Sequence, residues 1–373
     1  MGTGKPPLRL VVIGCGRVVE QCHLPALRSL AAAEIVGLVD NNLDRLNTVA
    51  DRLGVEHRYT DYRVMLKEAT VDVVAVCAPP HLHAEIGLAV LDAGKHLFME
   101  KPLALSLNDA DRLIDRASTS AGKALVGFNL RWHRLVRQAR ALLDDGSLGR
   151  LEMMHTMFTS RTGFLTADSD WRHHHDLGGS VLVDLGIHHF DLWQFLTQSE
   201  VVEVSAQYRS DDPAVECATV TATMANGVLV TASFARGLSD RNELEMFGRN
   251  GWLRLSCYRF DSLSTCQNSE PQGAAREWLR GIHRMWRNLP QAALLRRQGG
   301  DVVNSYRAEW QHFIDAIRND TPVQCSFEDA RSALHIALAT VESAAHGQPV
   351  RVAQAARAIT PIDSAARLSR SAG

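Results

Sequence analysis

Lys101 occupies a position that suggests chemistry. It belongs to the triplet Glu100-Lys101-Pro102, which directly follows the apolar segment HLFM. If that segment is a strand of an open α/β sheet, its carboxyl end opens on the crevice where such sheets bind ligands. A lysine there can donate a hydrogen bond to a reacting oxygen and stabilise alkoxide character as hydride leaves the carbon. The alternative is a solvated lysine before a proline turn, which is the commoner place for this residue.

A second group of chemically capable side chains lies in segment 178–196, GGSVLVDLGIHHFDLWQFL. On a helix, Asp184, His188 and Asp191 stand at i, i+4 and i+7 and share one face among apolar side chains. Such a stripe is explained by a buried hydrogen-bonded network, by a metal site or by an acid/base pair. We predict no metal, because His189 points about 100° away from His188 on a helix and too few ligands converge.

A glycine-rich turn, Gly14-Cys15-Gly16-Arg17-Val18-Val19, separates the first apolar run from the first helical pattern. In a dinucleotide-binding turn, the first glycine permits the bend and the second lets the backbone approach the pyrophosphate at the helix N-terminus. Val19 replaces the third glycine of the G-x-G-x-x-G pattern. Because that glycine serves helix packing, we expect Val19 to push the helix outward or to need a small partner on the strand.

The choice of cofactor depends on Asp40, which stands 24 residues after Gly16 at the end of the second apolar run. An acid at this point accepts hydrogen bonds from the adenosine ribose and would repel a 2′-phosphate, which favours NAD. NADP remains possible, since Arg17 or Arg45 could offset the charge. A turn that uses glycine only for its geometry is the alternative without a cofactor.

Two kinds of secondary-structure pattern divide the chain. Up to about residue 128, apolar strands alternate with helical patterns at 24–30, 43–53, 83–93 and 107–120. Strands that are apolar throughout indicate a parallel sheet covered by helices on both faces, so we predict an α/β Rossmann domain, a doubly wound parallel sheet, over residues 1–128.

The remainder, residues 129–352, predicts an α+β domain with a mostly antiparallel open sheet, followed by a flexible tail at 353–373. Two Asn-Gly pairs, Asn226-Gly227 and Asn250-Gly251, lie between β-rich runs and indicate hairpins. Helical patterns surround that sheet at 180–196, 304–317 and 327–345, and a short PVRV segment follows the last of them.

Taken together, these motifs resemble the Gfo/Idh/MocA family of oxidoreductases. The likeness rests on the Rossmann start, the proline-containing turn Cys77-Ala78-Pro79-Pro80 after strand four, the Glu-Lys-Pro triplet and the later Gly-Gly…Asp-x-x-x-His helix, and it spans roughly residues 8 to 352. The resemblance implies NAD(P)-dependent hydride transfer on a sugar, cyclitol or related polyol. It also implies an acid/base role for His188, with Asp184 orienting substrate or imidazole and Lys101 stabilising the developing charge.

The resemblance suggests further site residues. Cofactor contacts are expected from Gly14, Gly16, Arg17, Val18, Asp40, Ala78, Pro79, His83, Glu100 and Lys101. Substrate contacts are expected from Lys101, Asn129, Arg131, Trp171, Arg172, His175, Asp184 and His188. Two other functions stay open within the family: redox-assisted glycoside hydrolysis with bound NAD, and a regulatory protein that senses the dinucleotide.

Composition limits the possible partners. Lys plus Arg (40) nearly equals Asp plus Glu (42), which argues against nucleic acid or an anionic membrane as a partner. Seven cysteines without a CxxC pair suit reduced thiols, and no apolar signal core precedes the first strand, so we expect a cytoplasmic protein. An open antiparallel sheet further suggests a homodimer or homotetramer.

Segment 276–289 is a basic amphipathic pattern, with arginines at 276, 280, 284 and 287 opposite an apolar stripe. It could pack against the sheet or a second subunit, bind an acidic substrate or touch a membrane surface. Packing is the interpretation that we favour, because one short helix binds membranes weakly.

Overall fold

The computed structural model describes residues 5–161, 171–172, 174–212, 215–260, 262–268, 286 and 299–352. Of the basic amphipathic segment only residue 286 falls within this part of the chain, and the predicted tail lies outside it. Among the described helices, none combines the length and apolarity that a membrane crossing requires.

The first sheet is parallel and has six strands in the order β3-β2-β1-β4-β5-β6. This is the strand order of a dinucleotide-binding Rossmann fold, whose ligand crevice opens between β1 and β4 at the carboxyl ends. The predicted parallel sheet is therefore confirmed. Its strands are β1 (Leu8–Ile13), β2 (Ala33–Val39), β3 (His57–Tyr59), β4 (Val73–Val76), β5 (His96–Glu100) and β6 (Ala124–Gly127).

Helices connect these strands, and all but the third, which the pattern misses, lie close to where the periodicity predicts them. The first connection begins with a π-turn (Val19–His23) that continues as α1 (Leu24–Leu27). The others are α2 (Leu43–Leu53), α3 (Tyr62–Glu68), α4 (His83–Asp92) and α5 (Leu107–Thr119). Amphipathic spacing and caps explain their limits: Asn42, Asp61 and Ser106 each accept a backbone N–H at the start of α2, α3 and α5.

The second sheet has eight strands in the order β13-β12-β11-β7-β10-β9-β8-β14. All its pairs are antiparallel except β7 with β10, and the β9–β10 and β11–β12 hairpins confirm the two Asn-Gly predictions. The strands are β7 (Leu151–Ser160), β8 (Val201–Asp212), β9 (Val215–Met224), β10 (Leu229–Arg236), β11 (Arg241–Gly248), β12 (Gly251–Ser256), β13 (Ser264–Gln267) and β14 (Val350–Arg351).

Four further helices complete the described chain. These are α6 (Arg134–Asp144), α7 (Ile187–Thr197), α8 (Gly300–Asn319) and α9 (Phe327–His346). A second π-turn (Leu182–Gly186) leads into α7, where the sequence pattern predicts a regular helix from residue 180. The pattern also misses α6, whose sequence RLVRQARALLD is nevertheless strongly amphipathic.

The two hydrophobic cores do not follow the order of the chain. Helix α8 packs on the first sheet, where the Trp310 ring stacks on Phe98 with their centroids 4.1 Å apart. Helix α9 serves both cores, with Phe327 and Leu334 in the first and Ile336 in the second. The carboxyl ends of the parallel strands thereby face the π-turn before α7, which positions the candidate site.

Candidate active site

The glycine-rich turn after β1 has the shape that a dinucleotide requires. Gly14 adopts φ +93°, and a Cβ atom on it would lie 2.6 Å from the carbonyl oxygen of Cys77, so only glycine fits. A Cβ on Gly16 would meet no atom within 4 Å, which leaves open space above the backbone. Arg17 is exposed, and Val18, Ala78 and Pro79 are partly exposed at the same edge. The turn therefore fits the diphosphate of NAD.

Val19 is accommodated by an unusual helix start. Its side chain is completely buried, and the turn that contains it is a π-turn in which the N–H of Leu24 donates to the carbonyl of Val19. A π-turn is wider than a regular helical turn. The departure from the glycine pattern thus coincides with a local widening of the helix. Such π-turns occur frequently at functional sites.

His83 joins the two turns that flank the crevice. Its ring is completely buried, with Nδ1 2.6 Å from the carbonyl oxygen of Pro102 and Nε2 2.8 Å from that of Ala78. Burial lowers the pKa of the imidazole. His83 thus lies behind the proposed cofactor contacts and holds the turn after β4 against the turn after β5.

Glu100 anchors the backbone of Lys101. Its Oε2 accepts the N–H of Lys101 at 3.1 Å, and its Oε1 lies 2.8 Å from His23 Nε2. The indole N–H of Trp310 donates to His23 Nδ1 at 3.0 Å. Because a tryptophan N–H can only donate, the proton of the neutral imidazole is on Nε2 and points at Glu100. His23 and Trp310 were missed by sequence reasoning, since 287 residues separate them.

Lys101 and Asp184 form a close ion pair at the mouth of the crevice. The Lys101 ammonium donates to the Oδ1 and to the backbone carbonyl of Asp184, both at 2.8 Å. Burial alone would raise the pKa of Asp184, but the charges of Lys101, Arg172 and Arg236 outweigh it and hold the pKa well below its ordinary value. Asp184 therefore remains an anion and is not the proton acceptor.

Arg236, at the end of β10, is a residue that the motifs did not single out. It is completely buried, and its guanidinium donates to Asp184 Oδ2 at 3.1 Å, to Glu216 Oε2 at 3.0 Å and to the carbonyl of Gly179 at 2.6 Å. Glu216 in turn accepts the N–H of Val181 at 2.7 Å. These bonds fix the Gly178-Gly179 loop and the π-turn that carries Asp184. The sequence feature that could have indicated Arg236 is its position as a charged residue at the end of the alternating strand LVTASFAR.

His188 lies beside this pair in apolar surroundings. The ring centroids of Phe128 and Phe158 are 6.1 and 5.9 Å from its own. Burial and the positive charge of Lys101 hold its pKa well below the ordinary value, although Asp184 acts in the opposite direction. Among the described residues its Nδ1 has no hydrogen-bond partner. His188 is therefore an unprotonated imidazole close to a lysine ammonium.

The other predicted substrate contacts fall into two groups. Arg172 donates to Asp184 Oδ2 at 3.1 Å and its guanidinium lies 4.4 Å from the ring centroid of Trp171, so both belong to the cluster. His175 is exposed beside it, with Nε2 3.3 Å from the Tyr208 hydroxyl.

The structure does not bring Asn129 and Arg131 to this cluster. Asn129 is buried and donates to Ser305 Oγ at 3.0 Å. Arg131 donates to Asp191 at 2.7 Å and to Asp329 at 3.0 Å, which joins the segment after β6 to α7 and α9. The polar stripe predicted for the helix is thus divided, because Asp191 pairs with Arg131 while Asp184 and His188 face Lys101.

The side chains of this cluster suit charge stabilisation and proton transfer. In the described ranges, no group of three or more His, Cys, Asp and Glu side chains is arranged to hold a metal ion. An ammonium, an unprotonated imidazole and an ionised carboxylate lie at the carboxyl end of the parallel sheet, whose glycine-rich turn fits NAD.

Comparison with known families agrees with this geometry. Residues 8–128 match the model of an oxidoreductase family with an NAD-binding Rossmann fold, and residues 136–254 match the Gfo/Idh/MocA C-terminal domain. The chain belongs to the Gfo/Idh/MocA family of oxidoreductases. NAD is accordingly the cofactor of its first domain.

Relatives that are named as dehydrogenases are similar over almost the whole chain. A myo-inositol 2-dehydrogenase of Thermotoga maritima is 27% identical over 358 residues, which cover 92% of this chain and 98% of the relative. A D-apiose dehydrogenase of Paraburkholderia graminis is 29% identical over 359 residues, which cover 91% and 88%.

The fold of this family member is also seen in solved structures. An oxidoreductase domain protein from Kribbella flavida superposes with a TM-score of 0.80 at 23% identity, covering 94% of this chain and all of the other. At this level of identity the likeness concerns the fold, and it covers both sheets.

Proposed function

We propose that this protein oxidises a CH–OH group of a sugar, cyclitol or related polyol with NAD, using His188 as the proton acceptor and Lys101 to stabilise the developing alkoxide. The observation that carries the proposal is the largely buried Lys101–Asp184 ion pair, with His188 close enough for both charges to act on its pKa. The substrate class is supported by relatives named for myo-inositol and D-apiose, which are polyhydroxylated compounds.

Lys101 is prepared to bind the reacting oxygen. An ammonium group has three N–H donors, and two of those on Lys101 are directed at Asp184. The third is left for the substrate hydroxyl, and it strengthens its hydrogen bond as negative charge develops on that oxygen. Asp184 holds the ammonium in place and, with its low pKa, does not compete for the proton.

His188 is prepared to receive the hydroxyl proton. Its low pKa keeps the imidazole unprotonated before the reaction, so a ring nitrogen is available as an acceptor. Bound NAD supplies the hydride acceptor. Loss of the proton to His188 and of the hydride from the same CH–OH group leaves a carbonyl, and the reverse sequence of transfers reduces a carbonyl.

The decisive experiment measures the reduced-nicotinamide absorbance while the protein and NAD meet a panel of polyols, sugars and aryl glycosides. We expect net reduction of NAD with a polyol or sugar, and a fall in kcat of about 10²- to 10⁴-fold in Lys101→Ala and His188→Ala. NADH binding should persist in both variants. His57→Ala, at an exposed histidine of β3, is the matched control.

Two results would contradict the proposal. Nearly intact turnover in both folded variants would remove the assigned roles. Release of an aryl glycoside without net cofactor reduction would instead identify a redox-assisted hydrolase.

We also propose the cytoplasm as its location and a homodimer or homotetramer as its assembly. The described cysteines are all free thiols, which suits a reducing compartment. The assembly is supported by an apolar stripe on the outer face of the second sheet, considered in the Discussion. We likewise propose that the chain divides into a Rossmann domain at residues 1–128, an α+β domain at residues 129–352 and a tail at residues 353–373.

A further inference from the structure

The carboxylate of Asp40 already has a full set of hydrogen bonds. Its Oδ1 accepts the N–H of Asn42 at 2.8 Å and Nη2 of Arg45 at 2.9 Å. Its Oδ2 accepts the N–H of Cys15 at 2.8 Å and Nε of Arg45 at 3.0 Å. A carboxylate has about four lone-pair sites, so no acceptor capacity is left for a ribose.

Of these four donors, only those of Arg45 can leave. The N–H of Cys15 belongs to the glycine-rich turn, and that of Asn42 belongs to the residue that caps α2. The Arg45 side chain is 23% exposed, whereas its backbone is fixed by the N-cap bond to Asn42. Arg17, the other arginine of this region, donates to Gln21 at 3.1 Å instead.

We propose that Arg45 determines the specificity between NAD and NADP by competing for Asp40. For NAD, the guanidinium must turn away so that the ribose hydroxyls can donate to Asp40. For NADP, the same guanidinium pairs with the 2′-phosphate while it remains beside Asp40, and so offsets the repulsion between the two anions. Arg45 thus weakens NAD binding and permits NADP binding. The inference rests on the NAD site of the proposed function.

The test is calorimetric titration of the wild type, Arg45→Ala and Arg45→Lys with NADH and with NADPH. In Arg45→Ala we expect about fivefold tighter NADH binding, because the partly exposed ion pair no longer has to break. NADPH binding should weaken about tenfold or more, because a charge-assisted contact to phosphate is lost. Arg45→Lys should keep part of the NADPH affinity, since it keeps the charge without the two-pronged geometry.

Arg52→Ala is the matched control, because Arg52 lies on the same helix and pairs with Glu20 instead. It should leave both affinities within about twofold. Weaker NADH binding in Arg45→Ala, or unchanged binding of both nucleotides, would overturn the role of Arg45 while leaving the NAD site intact. A wild type that binds neither nucleotide would overturn the inference together with the NAD site.

Discussion

Asp184 stays ionised in the interior because three positive side chains surround it. Lys101, Arg172 and Arg236 reach it from different elements, so its low pKa is a property of the assembled site. His188, nearby, is kept neutral by burial and by Lys101. Asp184 and His188, which belong to one helical motif, thus have different charge states, an anchored anion and a neutral imidazole.

At this scale the first prediction concerns Arg236. Arg236→Gln removes one of the three charges that hold the pKa of Asp184 low, so that pKa should rise. The Lys101–Asp184 ion pair should then be lost at a higher pH than in the wild type, which lowers kcat at acid pH. Because Glu216 and Asp184 are left buried with less compensation, the free energy of unfolding should fall by about 3–5 kcal/mol. The pH profile of kcat and denaturant unfolding measure the two effects.

A control for this substitution is Arg241→Gln, since Arg241 is partly exposed and pairs with Glu243 away from the cluster. That variant should retain the wild-type pH profile. An Arg236→Gln profile that coincides with the wild type would show that Arg236 has only a structural role.

At the scale of elements, α7 carries two adjacent histidines with different environments. His188 faces Lys101, whereas His189 is completely buried with its Nε2 3.1 Å from Asn242 Oδ1. Burial lowers the pKa of His189 to about 4, against the opposing effect of this hydrogen bond. The helix therefore contains a neutral histidine that cannot gain a proton easily while the chain is folded.

This histidine should make the fold sensitive to acid. As pH falls below 6.5 the unfolded chain binds a proton at His189 before the folded chain does, so stability decreases down to about pH 4. The maximum contribution is about 3 kcal/mol. His189→Gln keeps an N–H donor for Asn242 but does not titrate, so its melting temperature should fall less steeply between these pH values.

His57→Gln, at an exposed position, serves as the comparison and should follow the wild type. Equal pH dependence of melting in His189→Gln and wild type would mean that His189 is not the group responsible.

At the scale of the whole molecule, one face of the second sheet remains uncovered by the described chain. Leu229, Met153, Phe247 and Trp252 are consecutive cross-strand neighbours on β10, β7, β11 and β12. Leu229 is 54% exposed and Met153 40%. An apolar stripe of this kind, on an open sheet, is typical of a subunit interface.

We therefore expect Leu229→Glu to weaken self-association. Sedimentation velocity should show the wild type as a dimer or tetramer and the variant shifted toward monomer as concentration falls. Val64→Glu places the same charge at an exposed valine of α3 and should leave the assembly unchanged. A monomeric wild type, or an unaffected Leu229→Glu variant, would contradict this assembly.

Most helices and strands could be predicted from local sequence patterns. The strands of the Rossmann sheet are apolar throughout and the helices carry 3.6-residue periodicity, so the sequence predicts the limits of α2 without error and those of α4, α5 and α9 within one residue. The two π-turns were not predictable in this way, because their hydrogen bonds depend on how Val19 and Asp184 pack. The placement of α8 on the first sheet likewise depends on contacts with Phe98.

For the site, the sequence alone determined which residues can do chemistry: the turn with Gly14, the lysine after β5 and the acid/histidine pair before α7. The tertiary structure decided their states. Arg236 binds Asp184 from a strand far along the chain and is itself held by Glu216. Trp310 orients His23 toward Glu100, and Arg45 takes up hydrogen-bonding positions on the Asp40 carboxylate. The physical reason is that charge, burial and hydrogen-bond saturation depend on neighbours in space, whereas motif spacing records only neighbours along the chain.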